Sequence, residues 1–313
     1  MSRERTVLYI GGLGRSGSTL LERMLGQVDG VTTAGELVSF WERARDARSL
    51  CGCGRPIEQC AHWNKILAQG IDITRGRALQ RKVDRTRFLP FLLVPRLWPR
   101  FRRRLDEYVA ALDTLYGAIA DVTGADVIVD SSKRPSGPYV LHNSHTIDLR
   151  VVVMVRDSRG VAYSWTKHRQ TEPRSDAPQM HRLSATRTGL RWMWHNLVYE
   201  GCQIHSIATK RVFYEDLVHR PEETLRDVCA FAGIPLAPRA TDFISSDSAE
   251  LDLVGHTVTG NPIRFDLGRV LLTEDCEWES ALPAAQRRSV TIVTAPLLAF
   301  YGYGLERGRT HRR

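Results

Sequence analysis

Nowhere in the chain do about 18 apolar residues run together, so no segment has the length of a membrane-spanning helix. The opening stretch, MSRERTVLYIGG, is likewise too short in apolar residues for a secretory signal, and a soluble, cytoplasmic protein is expected. Cysteine is scarce: six in 313 residues cannot form a disulfide scaffold, so reduced thiols are the default. Internal repeats and long low-complexity tracts are missing too, which excludes solenoid and fibrous architectures. Acidic residues fall short of basic ones, 35 against 44, leaving a net charge of +9. That balance favours anionic ligands without singling out nucleic acid, which is not expected as a partner. At 42% hydrophobic and 25% charged, the composition is ordinary for a globular protein. It predicts one α/β domain over 1–313 with a helical, cysteine-containing insertion at about 40–125.

What is present is concentrated in Val7 to Leu21, VLYIGGLGRSGSTLL. A short apolar run breaks into a glycine-rich turn and then into residues that can begin a helix. Gly12, Gly14 and Gly17 let backbone N–H groups approach a ligand, and Ser16, Ser18 and Thr19 add hydroxyls beside the positive end of a helix dipole. Arg15 adds a permanent planar cation. Gly12, Gly14 and Gly17 also fit the dinucleotide pattern G-x-G-x-x-G with Glu36 at about the right distance, but VTTAGEL is not an apolar strand ending in an acid. A nucleotide-triphosphate loop, G-x-x-x-x-G-K-[ST], is disfavoured because Ser18 stands where its lysine belongs. The stretch GRSGSTLL resembles the 5'-phosphosulfate loop of sulfotransferases that use 3'-phosphoadenosine-5'-phosphosulfate (PAPS).

Further segments extend the resemblance. TTAGEL is similar to the place where bacterial carbohydrate and tyrosylprotein sulfotransferases put a catalytic glutamate, which makes Glu36 the candidate general base. His142 and His145 are the alternatives, a histidine being the base in many animal members. ADVIVDSSK reads as a buried parallel strand ending in polar groups, with Asp130, Ser131, Ser132 and Lys133 expected to face a cleft and Lys133 to touch phosphosulfate or acceptor. LRVVVMVRDSRGVAYSW resembles the family's 3'-phosphate motif. Arg156 leaves the strand tip as a phosphate fork, and Ser164, two helical turns on, returns a hydroxyl to the same anion. The resemblance implies that Tyr214, in RVFYEDL, contacts adenine and that Gly260, Asn261 and Arg264, in GHTVTGNPIRF, belong to a loop closing over the nucleotide.

Taken together, the resemblance implies a three-layer parallel-sheet α/β fold of the P-loop-like sulfotransferase type. Its cofactor would be PAPS without a metal, held by Gly14, Arg15, Ser16, Gly17, Ser18 and Thr19, with transfer to a hydroxyl or amine of a small-molecule, carbohydrate or lipid-like acceptor. The alternative is a P-loop small-molecule kinase using ATP, with Asp130 on magnesium. Two segments stay outside this scheme. FLPFLLVPRLWPRFRRRL, cut by prolines 90, 95 and 99, is a helical insertion, a cover over the acceptor cleft or a surface touching lipid. CGCGRPIEQCAHW brings Cys51, Cys53, Cys60 and His62 within a dozen residues. Its C-x-C-x6-C-x-H spacing is not a usual zinc pattern, so a structural loop held by packing or a disulfide is preferred.

Overall fold

The computed structural model describes residues 5–167 and 182–304. In chain order it runs β1 (Arg5–Gly11), α1 (Ser18–Leu25), β2 (Val31–Gly35), α2 (Phe40–Arg43), α3 (Ala61–Leu67), α4 (Ile73–Val83), α5 (Leu89–Leu93) and α6 (Pro99–Thr123). There follow β3 (Val127–Asp130), α7 (Gly137–Leu141), β4 (Ile147–Val155), α8 (Ser158–Thr166), α9 (Ala185–Ile204), β5 (Ala208–Phe213), α10 (Tyr214–His219) and α11 (Pro221–Ala232). The chain then closes with β6 (Ser248–Leu251), β7 (Gly268–Leu271), α12 (Trp278–Ala281) and α13 (Ala284–Phe300).

The first five strands form one parallel sheet in the order β2-β3-β1-β4-β5, as expected for the α/β class; β6 and β7 make a separate antiparallel pair. Alternation along each strand splits the core in two. Leu8, Ile10, Val129, Val152 and Met154 pack with α1 and α11 on one face. Val7, Tyr9, Ile128, Val151 and Val153 pack with α6, α7 and α9 on the other. All of these strand residues are buried because both faces are covered, which is why β1 and β4 read as continuous apolar runs.

The helices start and stop where local chemistry dictates. Pro99 opens α6 and Gly124 ends it at φ 68; Pro221 opens α11, with Glu222 and Glu223 in its first turn, and Gly233 ends it at φ 71. Helices α2 to α6 occupy the whole connection between β2 and β3, with Trp41, Trp63 and Tyr108 buried among them. The proline-broken segment settles into α5 and a 3-10 turn, leaving Leu97 and Trp98 exposed. No helix among the described residues is long and apolar enough to cross a membrane.

The tightest point is where β1 turns into its loop. Gly12 has φ 107, and a Cβ there would lie 2.4 Å from the Met154 carbonyl oxygen on β4. Gly12→Ala should destabilise the protein by roughly 1–3 kcal/mol from backbone strain, plus the clash with a backbone that cannot yield. Gly124→Ala is the control, since nothing lies within 4 Å of its added Cβ. Urea unfolding that ranks the two variants equal would remove the close approach as the cause.

Candidate active site

In a parallel sheet every strand delivers its last residue to the same edge. Here the carboxyl end of β1 leads into Gly12 to Ser18, β2 into Glu36, β3 into Ser131 to Lys133, β4 into Arg156 and β5 into Tyr214. A cleft of about 1020 Å³ opens at this edge, and it is lined by a residue from each of the five strand ends. Gly14, Arg15, Gly17, Ser18, Thr19, Glu36, Lys133, Arg156, Ser164, Tyr214, Gly260, Asn261 and Arg264 all border it.

The loop has the shape of an anion cradle. Gly17 takes φ 88 as the residue before α1, and no side chain caps that helix. The N–H groups of its first turn therefore point outward without intrahelical partners. A Cβ on Gly17 would meet the Tyr214 ring at 2.8 Å, so the glycine also lets the start of α10 approach. Arg15 holds φ 79, a left-handed conformation rare outside glycine, and its guanidinium lies 5.9 Å from the Trp165 ring centroid. The Trp165 indole donates to the Gly14 carbonyl at 2.9 Å, fixing the loop from α8. Ser16 differs from its neighbours: it does not border the cleft, and its Oγ is buried with no hydrogen-bond partner.

Across the cleft, Glu36 and Lys133 form an ion pair at 2.8 Å. Lys133 sits at φ 56, one of three non-glycine residues with positive φ among those described, the others being Arg15 and Ser206. Both members of the pair are placed by a residue that the sequence reading passed over. Glu22, on α1, is almost completely buried; its carboxylate accepts from the Gly35 N–H at 2.8 Å and the Ser131 hydroxyl at 2.7 Å. It thereby ties the loop helix to the residue before Glu36 and the residue two before Lys133.

Arg156 lies buried over the Tyr214 ring, 4.3 Å from its centroid. It donates to the Arg15 carbonyl at 3.2 Å and pairs with Asp275 at 3.3 Å, while Tyr214 donates its hydroxyl to the Thr273 carbonyl. Arg264 donates to the Leu50 carbonyl and stacks on Phe265, joining the late loop to the segment after α2.

Several sequence expectations need correction. Asp130 and Ser131 do not face the cleft. Asp130 accepts from the Tyr116 hydroxyl at 2.6 Å and from both the N–H and the hydroxyl of Ser132, while Ser131 turns to Glu22. This removes the acid that the kinase alternative requires. His142 and His145 precede β4 at the amino edge of the sheet, away from the cleft. Among the described residues, the histidine that borders it is His195, on α9, one turn after Arg191, which also lines the cleft. Burial, reinforced by Arg191, pushes the His195 imidazole down to about 4, so it is neutral at physiological pH. The i, i+4 spacing of Arg191 and His195 was the available signal, but nothing in it says which face of α9 meets the loop. No disulfide joins the described cysteines.

Burial also pushes the Glu22 carboxyl up to about 7 from an ordinary 4.5, against the opposing pull of Lys133, Ser131 and the Gly35 N–H. Because the folded value is raised, the native state keeps a proton that the unfolded chain gives up between those two pH values. Glu22's contribution to stability is therefore fully present below about pH 4.5 and is lost as pH rises through 7. The unfolding free energy of wild type relative to Glu22→Gln should fall by about 3 kcal/mol across this window in urea titrations. A difference that stays flat with pH would mean that the carboxyl titrates normally.

Residues 6–250 match the family model described as "Sulfotransferase domain". Among curated proteins, carbohydrate sulfotransferase 3 of Mus musculus is 26% identical over 178 residues, covering 51% of this chain and 35% of that protein's length. Among solved structures, the sulfotransferase domain from the curacin biosynthetic pathway superposes with a TM-score of 0.54 at 16% identity, covering 95% of this chain and 98% of that one. The sulfotransferase domain of the Synechococcus PCC 7002 olefin synthase gives 0.45 at 19% identity, covering 95% and 96%.

Proposed function

The chain belongs to the sulfotransferase domain family, and from that premise we propose that it transfers the sulfuryl group of PAPS to a hydroxyl or amine of a polar acceptor. The observation that carries this reading is the meeting, in one cleft, of an uncapped glycine-rich helix start, two arginines from different strand ends and a carboxylate beside a lysine. The donor set suits a nucleotide with an anionic group at each end: outward N–H groups at α1 and the fixed charges of Arg15 and Arg156, all bordering the cleft. When bound, PAPS supplies a sulfuryl group already joined to a good leaving group, its 5'-phosphate.

Arg15 and the N–H groups of Ser18 and Thr19 would hold the 5' end and stabilise the negative charge of the leaving phosphate. Arginine does not deprotonate, so Arg15 serves as an electrostatic clamp and not as an acid. Glu36 would take the proton from the acceptor hydroxyl, and Lys133, paired with it at 2.8 Å, holds the carboxylate in place. Arg156 and Ser164 would take the 3'-phosphate, Tyr214 would meet the adenine, and Gly260, Asn261 and Arg264, which border the cleft from the late loop, would cover the nucleotide. Arg43 at the end of α2, and Asp46, Arg48 and Ser49 in the segment after it, line the same cleft. This polar wall suits a hydroxyl-rich or anionic acceptor better than a lipid-like one, in keeping with the carbohydrate named for the mouse relative.

Glu36→Gln should lower turnover about a hundred- to ten-thousand-fold while adenosine 3',5'-bisphosphate still binds with near wild-type affinity by calorimetry. His195→Asn is the comparison. If it abolishes turnover while Glu36→Gln does not, the base is the histidine.

Arg156→Ala should weaken adenosine 3',5'-bisphosphate by roughly 1.5 to 3 kcal/mol, the worth of a charge-assisted hydrogen bond, and leave adenosine 5'-phosphosulfate little changed. Equal losses for both nucleotides would take the 3'-phosphate away from Arg156.

A further inference from the structure

Away from the reacting groups, the fold brings together four soft ligands that the sequence keeps far apart. Cys51, Cys53 and Cys60 lie before α3, and His256 joins them from the late loop 205 positions beyond Cys51. The Sγ atoms of Cys53 and Cys60 are 3.8 Å apart, His256 Nδ1 is 3.6 Å from the Cys51 Sγ and 3.4 Å from the Cys60 Sγ, and all four ligand atoms lie within 4.8 Å of one another. With zinc–sulfur bonds of about 2.3 Å and zinc–nitrogen bonds of about 2.0–2.1 Å, a tetrahedral site has edges of about 3.8 Å between sulfurs and about 3.6 Å between sulfur and nitrogen. The Cys53–Cys60 separation and the two His256–cysteine separations match those edges, and the remaining pairs stay within 4.8 Å, whereas a disulfide needs sulfurs about 2.05 Å apart.

The surroundings are shaped for the same purpose. Gly52, between the first two cysteines, has no room for a side chain: its Cβ would lie 2.4 Å from the Gly255 carbonyl oxygen. Its N–H donates to the Thr257 carbonyl at 2.9 Å, so the Cys-Gly-Cys turn lies directly against the backbone that carries His256. On its far side the His256 ring is stacked on His62, centroids 4.4 Å apart and planes within 6°, which sets its orientation. The C-x-H spacing counts against His62 as the fourth ligand; His256 takes that place, and the single residue between Cys51 and Cys53 is the glycine that the close backbone approach requires.

We propose that Cys51, Cys53, Cys60 and His256 bind one structural zinc ion, as three thiolates and a neutral imidazole. With all four protein ligands present there is no open position for water or substrate, so the ion does no chemistry. Its effect is mechanical. It fastens the segment after α2, whose Leu50 borders the cleft, to the loop whose Val258, Gly260 and Asn261 border it from the other side. The backbone bonds from Val258 N–H to the Ala34 carbonyl and from Glu36 N–H to the Thr259 carbonyl carry that fastening to the strand end before Glu36.

The test is metal content and cobalt spectroscopy on the full-length chain, purified under reducing conditions without chelator or an immobilised-metal step. About one zinc per chain is expected by elemental analysis. After removal of zinc, cobalt(II) should produce thiolate-to-metal charge-transfer absorption and the visible bands of a tetrahedral site. Loss of an outer hydrogen bond already costs such sites about 10- to 100-fold in affinity, so Cys53→Ser should lose at least that, while Cys276→Ser, an exposed thiol elsewhere, should match wild type. His256→Asn, which leaves all three thiols, should keep a thiolate band at weaker affinity and covers the case in which Cys53→Ser does not fold. A reduced, folded wild type that holds no zinc and gives no cobalt–thiolate band would overturn the proposal. So would a mass lower by two hydrogens, revealing a disulfide among these cysteines.

Discussion

A single buried carboxylate holds the cleft in register. Glu22 sits on the helix that follows the glycine-rich loop and accepts hydrogen bonds from the ends of both β2 and β3. Burying a carboxyl there is costly unless its hydrogen bonds are made, and Gly35 and Ser131 make them. The loop helix therefore cannot shift without breaking its bonds to the two strand ends that carry Glu36 and Lys133. The glycine-rich loop and Glu36 are thus coupled through one side chain that does not itself border the cleft.

Around that anchor the architecture follows from parallel pairing. Five strands running the same way put five chain reversals on one edge, and each contributes a different chemical type: backbone N–H groups, a carboxylate, an ammonium, a guanidinium and an aromatic ring. Strain is concentrated at the same edge. Two of the three described non-glycine residues in the left-handed region are Arg15 and Lys133, both bordering the cleft. Surrounding structure over-determines them: Trp165 fixes the loop beside Arg15, and the Glu22–Ser131 bond fixes the turn before Lys133.

The α/β class, the strand–loop–helix at the start and the strand ending at Arg156 were legible because their signals are local. An apolar run long enough for a buried strand, a glycine turn and a polar strand end each announce themselves within about ten residues. Strand β2 was harder to read, since Thr32 and Thr33 lie at a sheet edge, half exposed, and pairing with β3 decides their conformation. The orientation of Asp130 is not legible in the sequence, because a strand-end acid looks the same there whether it faces a cleft or a buried tyrosine. Tyr116, on α6, made the difference.

By itself the sequence determined the chemistry available: a glycine-rich loop at a helix start, an arginine in that loop and another at a strand end, an acid that follows the second strand, and a cluster of thiols. These depend on residue type and near spacing, which local physics turns directly into strands, turns and helix starts. Only the tertiary structure decided which of those groups meet. His195 faces the loop while His142 and His145 lie at the opposite sheet edge. Glu22 bridges two strand ends, and His256 reaches the three cysteines from the far end of the chain. Each of these contacts joins segments separated by a crossover or by a long insertion, and their meeting is set by sheet order and helix packing, which no short stretch of sequence encodes.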